Sequence, residues 1–284
     1  MRIHPPGQAT QSVCILFRFP TPQTQAEMTK SPTRIILILT SSLLLIAGCL
    51  SAADVAKIKW KIHDAERPLP KVVKPPQSNP QAQAEKPPSD ALVLFDGKDL
   101  SKWVATDGGK VNWKVENGVL TSMPKGDIQT KEGFGDCQLH VEWRTLGKGH
   151  GNSGFYFMAL YELQVYESFQ YKETIYADGQ AAAIYGQYPP LVNACRDTEQ
   201  WQTFDVIFHR PHFDEGGKLL RAATMTVLHN GVLVQDHAVL TGPTSHKQRP
   251  PYKKHAAKLP LLIQYHGDPL QFRNIWIRPL EKQE

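Results

Sequence analysis

The residues best suited to chemistry follow a glycine-rich turn at residues 151–154 (Gly-Asn-Ser-Gly). Eight residues after this turn a β-prone run begins, in which Glu162, Gln164 and Tyr166 alternate with aliphatic residues. Side chains alternate along a strand, so these three share one face and the aliphatic residues share the other. A row of carboxylate, amide and phenol offers hydrogen bonds to hydroxyl groups and an aromatic surface to C–H groups. The pattern indicates a sugar site, although polar alternation is also typical of a solvated face of an antiparallel sheet.

The first part of the chain has the features of an export signal. Lys30 and Arg34 precede an apolar run over residues 35–47, which is followed by Gly48 and Cys49. This run is too short to span a bilayer comfortably and fits the core of a secretory signal. The small residues before Cys49 resemble a lipobox, in which the cysteine is acylated and becomes the new N-terminus. Ordinary cleavage near residues 51–53 is the alternative. Both predict an extracytoplasmic protein, and the lipobox predicts a lipid anchor to the bacterial cell envelope, in the periplasm or at the outer membrane.

The chain divides into four parts on this basis. Met28 lies just upstream of the basic residues, so residues 1–27 are an over-extended start or a disordered leader, and residues 28–48 are the signal segment. Residues 49–90 include a stretch rich in Pro, Gln, Ala and Lys, for which we expect an extended tether because it has few large apolar residues to bury. Residues 91–284 are long enough for one domain with a substantial core.

The charge distribution argues against a nucleic-acid partner. The formal charge is +5, but residues 1–48 hold four basic residues and one acidic residue, so the chain without them carries +2. A nucleic-acid site needs a concentrated basic stripe. The basic residues that cluster lie in a loop interrupted by proline: Lys247, Arg249, Lys253, Lys254 and Lys258. We therefore expect no nucleic acid, and contact with a membrane only through the lipid anchor.

Two cysteines remain for the domain, because Cys14 lies in the leader and Cys49 at the lipobox. Export permits a disulfide between Cys137 and Cys195, but the sequence cannot show that they meet. No C-x-x-C pair occurs, which excludes a zinc ribbon.

Strand signals dominate the domain. Asn117-Gly118 and Asn230-Gly231 each lie between two β-prone runs, and Asn-Gly is a strong hairpin signal because a type I′ turn needs positive φ at both central residues. Apolar and polar residues alternate over 137–144 and 202–209, as in strands with one buried face. No window of about a dozen residues shows a clear helical stripe. These patterns predict an all-β antiparallel sandwich with short, peripheral helices.

Six separated motifs then carry a resemblance to the 3-keto-disaccharide hydrolase-like family. In chain order they are Leu94-Phe95-Asp96-Gly97-Lys98-Asp99-Leu100 with Trp103; Trp113-Lys114-Val115 with Gly118-Val119-Leu120; Gly151-Asn152-Ser153-Gly154; Tyr161-Glu162 with Gln164-Val165; Ala183-Ile184-Tyr185-Gly186; and Gln264, His266-Gly267 and Phe272-Arg273-Asn274-Ile275. The resemblance extends from about Leu92 to Pro279. It implies a concanavalin A-like jelly roll, often found in exported proteins, with sugar chemistry on the concave sheet.

The same fold houses family 16 glycoside hydrolases, whose strand motif is Glu-x-Asp-x-(x)-Glu. In this chain Glu162, Gln164 and Glu167 have similar spacing, but an amide replaces the central carboxylate. Without a bulge, Glu162 and Glu167 point to opposite faces, because their separation is odd. Retaining hydrolysis needs two carboxyl groups about 5 Å apart. The sequence therefore does not secure the carboxylate pair of such an enzyme.

Chemistry on a 3-keto sugar has a different requirement. The C3 carbonyl acidifies the C2 proton, so that a base removes it, a donor or cation stabilises the enolate oxygen, and the C1 group leaves before water adds. We expect Glu162 or His266 to be the base and Arg273 to hold the oxyanion. The residues expected to bind substrate hydroxyls or shape the rim are Gln164, Tyr185, Gln264, Asn152 and Ser153.

No cofactor is certain from the sequence. A divalent cation bound by Glu162, His266 and a further oxygen would be a chemically reasonable enolate stabiliser, although no dense ligand motif occurs. We therefore expect an exported enzyme, a hydrolase or lyase, whose partner is a carbohydrate substrate, most simply a 3-keto-glycoside. The alternatives are a noncatalytic carbohydrate-binding module of the same fold and a structural surface protein. Convergence of Glu162, Gln164, His266 and Arg273 in one pocket would favour the enzyme.

Overall fold

Two antiparallel sheets pack face to face in the computed structural model, which describes residues 58–77, 86–124, 126–147, 150–169 and 176–280. The leader, the signal segment and Cys49 lie outside the described residues. Within the described ranges, no helix is long and apolar enough to cross a membrane. The helical structure of these ranges is a short 3₁₀ turn, Ala177–Gly179. The prediction of an all-β antiparallel sandwich is confirmed, and its architecture is the concanavalin A-like jelly roll.

The larger sheet has eight strands. In spatial order seven of them are Val232–Val239 (β15), Thr224–His229 (β14), Gln202–His209 (β11), Cys137–Thr145 (β7), Leu270–Pro279 (β17), Val119–Thr121 (β5) and Lys114–Glu116 (β4). The eighth, Leu92–Phe95 (β2), pairs with the second half of β17. Both Asn-Gly pairs form the predicted hairpins, since Asn117 and Asn230 have φ of 51° and 54° and the following glycines have φ of 78°.

The smaller sheet has five strands and carries the glycine-rich turn. In spatial order they are Trp103–Ala105 (β3), Ile128–Phe134 (β6), Leu259–Ile263 (β16), Ser153–Phe157 (β8) and Tyr161–Val165 (β9). Two further strand pairs are short: Lys71–Val72 (β1) with Val192–Asn193 (β10), and His212–Phe213 (β12) with Leu219–Arg221 (β13).

Aromatic side chains from both sheets fill the core between them. The Phe155 ring of the smaller sheet meets Phe204 and Phe272 of the larger sheet edge to face, at centroid distances of 6.3 and 5.8 Å. Phe157 packs on Phe208 at 4.9 Å. Because these residues alternate with polar ones along their strands, each sheet has an inner apolar face and an outer face that bears its polar side chains.

Residues 58–77, here named the N-terminal strap, lie against the domain. Within the strap, β1 pairs in parallel with β10, and the Val73 amide donates to the Asn193 carbonyl at 2.9 Å. The Arg67 guanidinium donates to the Gln187 carbonyl at 3.0 Å. These residues are therefore not the free tether that the composition predicts for residues 49–90. Backbone pairing and side-chain contacts supply the stabilisation that the Pro-rich composition lacks.

The two cysteines of the domain do not pair. Cys137 and Cys195 are both free and buried. Burial in apolar surroundings raises the pKa of both thiols well above the ordinary value, so both stay protonated.

Candidate functional site

Strand β9 is buried on both of its faces. Tyr161, Leu163 and Val165 point into the core, as the alternation predicts, and Glu162 and Gln164 point outward. Both outward side chains are nevertheless buried, at 3 % and 2 % exposure. The edge of the strand is closed as well, because its backbone pairs with residues 182–185: the Gln164 backbone N–H donates to the Ala183 carbonyl at 2.9 Å, and the Ala182 backbone N–H donates to the Gln164 carbonyl at 2.9 Å. The interpretation of this face as solvated is therefore wrong.

Glu162 lies at the centre of a small polar site on this outer face. Tyr156 of β8 is directly opposite in the strand register and hydrogen-bonds to its carboxyl group. Gly154, the next outward residue of β8, leaves room for that carboxyl, because a Cβ atom there would lie only 2.5 Å from Glu162 Oε1. The Gln264 amide donates to the Tyr156 hydroxyl at 3.3 Å. With Tyr185, whose amide donates to the Glu162 carbonyl at 3.3 Å, these residues form what we name the Glu162 site.

Burial changes the acidity of the Glu162 site. Glu162 is only 3 % exposed. This burial raises its pKa to about 8, and the hydrogen bond with Tyr156 opposes the shift. Burial and the nearby Glu162 raise the pKa of Tyr185 to about 12 and that of Tyr156 further, so both phenols remain neutral donors near pH 7. A carboxyl group that titrates near neutrality, beside neutral donors, is suited to general acid–base chemistry.

The strap contributes to the rim of the site. The His63 ring stacks on Tyr176 at a centroid distance of 4.3 Å and meets the Tyr185 ring edge to face at 5.0 Å. The Tyr185 hydroxyl lies 3.0 Å from His246 Nδ1, and His63 Nε2 lies 3.1 Å from the His246 carbonyl. Tyr156, Tyr185 and Gln264 are partly exposed, so the site remains open to solvent beneath this rim.

A buried carboxylate fixes the strap in this position. Asp178 is fully buried and accepts from the His63 amide at 3.2 Å, and its Oδ1 lies 3.2 Å from His63 Nδ1. Arg67 and Arg249 approach the same carboxylate at 3.9 Å. Burial alone would raise the pKa of Asp178, but the His63 hydrogen bonds and the guanidinium of Arg67 hold it below the ordinary value. Arg249 also donates to the Trp60 carbonyl of the strap at 2.9 Å.

Some predicted site residues hold the glycine-rich turn instead of facing a ligand. The side-chain Nε2 of Gln164 donates to Asn152 Oδ1 at 2.9 Å and to the backbone carbonyls of Ser153 and Val165 at 3.0 and 2.7 Å. The Ser153 hydroxyl is fully buried and donates to the Gln264 carbonyl at 2.7 Å. The structure thus places Ser153 on the inner side of its strand and not on the rim. Asn152 stays partly exposed at the end of the sheet.

The predicted catalytic residues do not converge. Arg273 lies on the outer face of the larger sheet, because its neighbours Phe272 and Ile275 point into the core. Glu162 lies on the outer face of the smaller sheet, so the whole hydrophobic core separates the two. His266 is exposed in the loop between β16 and β17. The expectation of one pocket containing both Glu162 and Arg273 is therefore wrong. Alternation fixes the face of each strand but does not say to which sheet the strand belongs.

Arg273 belongs to a separate charged chain on the larger sheet. Its Nε donates to Glu142 Oε2 at 2.6 Å, and the Asn274 amide nitrogen lies 3.1 Å from both Glu142 Oε1 and His140 Nε2. His140 Nδ1 lies 2.7 Å from Asp205 Oδ1. Burial by itself would raise the pKa of Glu142 and lower that of His140. The hydrogen bonds outweigh burial, so that the pKa of Glu142 is lowered to about 2 and that of His140 is raised to about 9.

Glu162 and Glu167 do not form the carboxylate pair of a retaining glycosidase. Glu167 accepts from the Thr145 hydroxyl at 2.6 Å and from the Phe169 amide at 3.1 Å, so both of its oxygens are engaged away from Glu162. Among the described residues, no group of three or more His, Cys, Asp or Glu side chains is arranged to hold a metal ion. The divalent cation considered at Glu162 and His266 therefore has no such ligand cluster in these ranges.

Four residues of the site and its rim are not predicted from the sequence: Tyr156, His63, Asp178 and His246. The sequence did contain a signal for Tyr156. Tyr156 lies two residues after Gly154, so both point to the same face of a strand that forms a hairpin with the strand of Glu162. His63 was missed because the strap reads as linker, and Asp178 because nothing local distinguishes a buried aspartate from a turn residue.

Fold and site together define a jelly-roll protein with a buried acid on the outer face of one sheet. The chain belongs to the 3-keto-alpha-glucoside-1,2-lyase-like domain family, whose model matches residues 90–278. The predicted family is thereby confirmed.

Solved structures are similar to this chain as well. A protein of Parabacteroides distasonis, provisionally assigned as a glycosyl hydrolase, is 42 % identical over 75 % of this chain and 93 % of its own, with a TM-score of 0.67. A second such protein from that organism shares the fold at 22 % identity, covering 68 % of this chain and 94 % of its own, with a TM-score of 0.52. A comparison with curated proteins gives no match. The family and the first neighbour support a glycoside-processing role with a carbohydrate partner.

Proposed function

We propose that this chain cleaves glycosides that carry a keto group at C3, and that Glu162 transfers the proton. The observation that carries the proposal is a single buried carboxyl group with a pKa of about 8, hydrogen-bonded to Tyr156 on the outer face of the smaller sheet. A pKa near the working pH gives useful amounts of both the base and the acid form. A noncatalytic binding face has no need for such a group.

One carboxyl group is sufficient to remove and return the proton in this reaction. The Glu162 carboxylate takes the C2 proton, and the C–H electron pair forms the C2–C3 double bond of an enolate. The enolate collapses to restore the C3 carbonyl and form a C1–C2 double bond, while the C1–O bond breaks. The departing oxygen takes the proton back from Glu162. Addition of water across the new double bond completes net hydrolysis; without it the reaction is an elimination.

Two phenols are suited to stabilise the enolate oxygen. Tyr156 and Tyr185 both adjoin Glu162, and their raised pKa values keep their protons in place as donors. Arg273, which the sequence suggests for this role, lies on the other sheet. Tyr176 is 42 % exposed beside His63, and its aromatic ring suits contact with the C–H face of a sugar at the rim.

The test is turnover of a 3-keto-glucoside, followed as release of the C1 alcohol by the purified protein. We expect Glu162→Gln to lower kcat by about 10²-fold or more, the usual worth of a positioned general base, with KM changed less. Glu132→Gln is the matched control, because Glu132 is an exposed carboxylate in the same sheet. His266→Ala distinguishes the alternative base predicted from the sequence.

The substrate itself provides a second control. The parent glucoside without the keto group should be cleaved far more slowly, because its C2 proton is not acidic. The assay is run with and without added divalent cations. No release from the 3-keto-glucoside in either condition, together with measurable binding of oligosaccharides, would overturn the enzyme and favour the binding module. Full activity of the Glu162→Gln variant would discard the site.

A further inference from the structure

An aromatic platform carrying two guanidinium groups lies on the outer face of the larger sheet. The Cζ atoms of Arg273 and Arg144 lie 4.2 and 4.7 Å from the centre of the Trp201 ring. Both arginines point outward from adjacent strands, since Arg273 lies on β17 and Arg144 on β7. We name these three residues the arginine platform. It lies across the hydrophobic core from the Glu162 site.

Each guanidinium of the platform is held from one side only. Arg273 Nε donates to Glu142 at 2.6 Å, and Arg144 Nε donates to Gln271 Oε1 at 2.7 Å. No hydrogen bond joins the terminal nitrogens of either group to another residue in the described part of the chain. The Arg273 side chain is 30 % exposed, and Arg144 and Trp201 are also partly exposed. Two oriented sets of N–H donors therefore face solvent.

The two carboxylates near the platform act unequally on its guanidinium groups. Arg144 and Arg273 repel each other, and burial together with this repulsion lowers the pKa of Arg144. Glu142 is the carboxylate bonded to Arg273, and both of its oxygens are already engaged. Glu199 raises the pKa of Arg144, but by less than Arg273 lowers it. Holding two guanidinium groups side by side costs free energy, which an anion between them would offset.

We propose that the arginine platform binds an acidic sugar residue, whose carboxylate or sulfate ester accepts from the terminal nitrogens of Arg144 and Arg273. The planar fork of a guanidinium matches either oxyanion, and Trp201 fixes both forks in advance. The sugar part of the proposal rests on the glycoside-processing family of the chain and not on the role of Glu162. The platform would thus be a second carbohydrate site, on the opposite face of the sandwich from the proposed catalytic one.

Isothermal titration of the purified protein tests the proposal with four probes: methyl glucuronide, glucose 6-sulfate, methyl glucoside and inorganic sulfate. We expect one or both acidic sugars to bind. The neutral glucoside should bind at least about 10-fold more weakly, since it lacks the charge-assisted hydrogen bonds. Comparison of the two acidic sugars identifies the oxyanion. Binding should weaken as salt is added, because the platform is exposed.

The variants assign the binding to the platform. Arg144→Gln should weaken binding of the acidic sugar by about 10-fold or more, because it removes one charged donor set. Arg273→Lys keeps the charge beside Glu142 but loses the fork, and should also weaken it. Arg278→Gln is the matched control: Arg278 lies on the same strand as Arg273 and pairs with the exposed Asp90, away from Trp201. The affinity of the Arg278→Gln variant for the acidic sugar should stay within about 2-fold of the wild type.

Three outcomes would overturn the proposal: no acidic sugar binds, Arg144→Gln binds as well as the wild type, or inorganic sulfate binds as tightly as the acidic sugars. The last would show a site for an adventitious ion without sugar recognition. Circular dichroism of each variant checks that a loss of binding is not a loss of fold.

Discussion

Glu162 combines two properties that oppose each other in a folded protein. Its burial makes the carboxyl group titrate near neutrality, which suits proton transfer, but the same burial destabilises the charged form. The hydrogen bond from Tyr156 compensates only in part. Retention of an acid at a position that costs stability is typical of functional sites, where activity and stability compete.

The cost can be measured as a dependence of stability on pH. The ordinary pKa of this carboxyl is 4.5 and the folded value is about 8, so the folded state keeps a proton that the unfolded state releases between these values. Stability from this group is therefore fully present below about pH 4.5 and falls as pH rises towards 8. Glu162→Gln, which has no proton to lose, should be more stable than the wild type at pH 8 and similar to it at pH 4.5.

Thermal melts at pH 4.5, 6.5 and 8 give the comparison. For a domain of this size, we expect the Tm of Glu162→Gln at pH 8 to rise by roughly 2–4 °C for each kcal/mol gained in the free energy of unfolding. Glu132→Gln should show no such trend, because Glu132 is exposed. An unchanged or lower Tm for the Glu162 variant at pH 8 would contradict the raised pKa.

At the scale of elements, the site depends on segments that are distant in sequence. Strands β8 and β9 place Tyr156 opposite Glu162 through the register of one hairpin. The segment of residues 176–187 pairs with the edge of β9 through its backbone, and the strap contacts that segment in turn. Because Asp178 joins the strap to this segment through His63, its buried carboxylate is the natural point at which to release the strap.

Asp178→Asn should release the strap without unfolding the sandwich. The substitution keeps the volume but leaves His63, Arg67 and Arg249 without their carboxylate. Loss of a charge-assisted hydrogen bond should increase strap opening by about 10-fold or more. Trypsin cleavage after Lys61 or Arg67 measures this opening, because cleavage follows the population of the open form.

Asp96→Asn is the control for this measurement, since Asp96 is exposed in the domain. The cleavage products are identified by mass, and circular dichroism checks that the sandwich remains folded. Equal cleavage rates in the Asp178 variant and the wild type would show that the strap is held by other contacts.

At the scale of the whole molecule, the packed strap changes how the chain would reach a membrane. If Cys49 carries a lipid, eight residues separate it from the strap at residue 58. Eight residues span at most roughly 30 Å when fully extended. The domain would therefore stay close to the bilayer surface, and not at the end of a tether of some 40 residues, as the Pro-rich composition predicts.

The lipid anchor itself is testable in a diderm bacterium. We expect the wild type to partition with membranes and Cys49→Ser to lose acylation, because the thiol is the site of lipid attachment. Cys14→Ser is the matched control and should behave like the wild type. Mass spectrometry of the mature N-terminus gives the decisive measurement. An unmodified terminus at Ala53 or Asp54 would rule out the anchor and leave simple secretion.

The sequence by itself determined the local features of this protein. Both Asn-Gly turns, the alternation along β7 and β11, and the outward direction of Glu162 follow from backbone preferences and side-chain periodicity, which act within a few residues. The alternating strands also predicted the antiparallel sandwich, and the family motifs added the concanavalin A-like jelly roll. Only the tertiary structure decided which outer faces are covered and which residues share one. Glu162 and Arg273 both point outward, but their strands belong to different sheets, and the strap gains its order from Asp178 and β10 across more than a hundred residues. These long-range contacts have no signal within a short window of sequence, because the free energy that fixes them arises only when the distant segments meet.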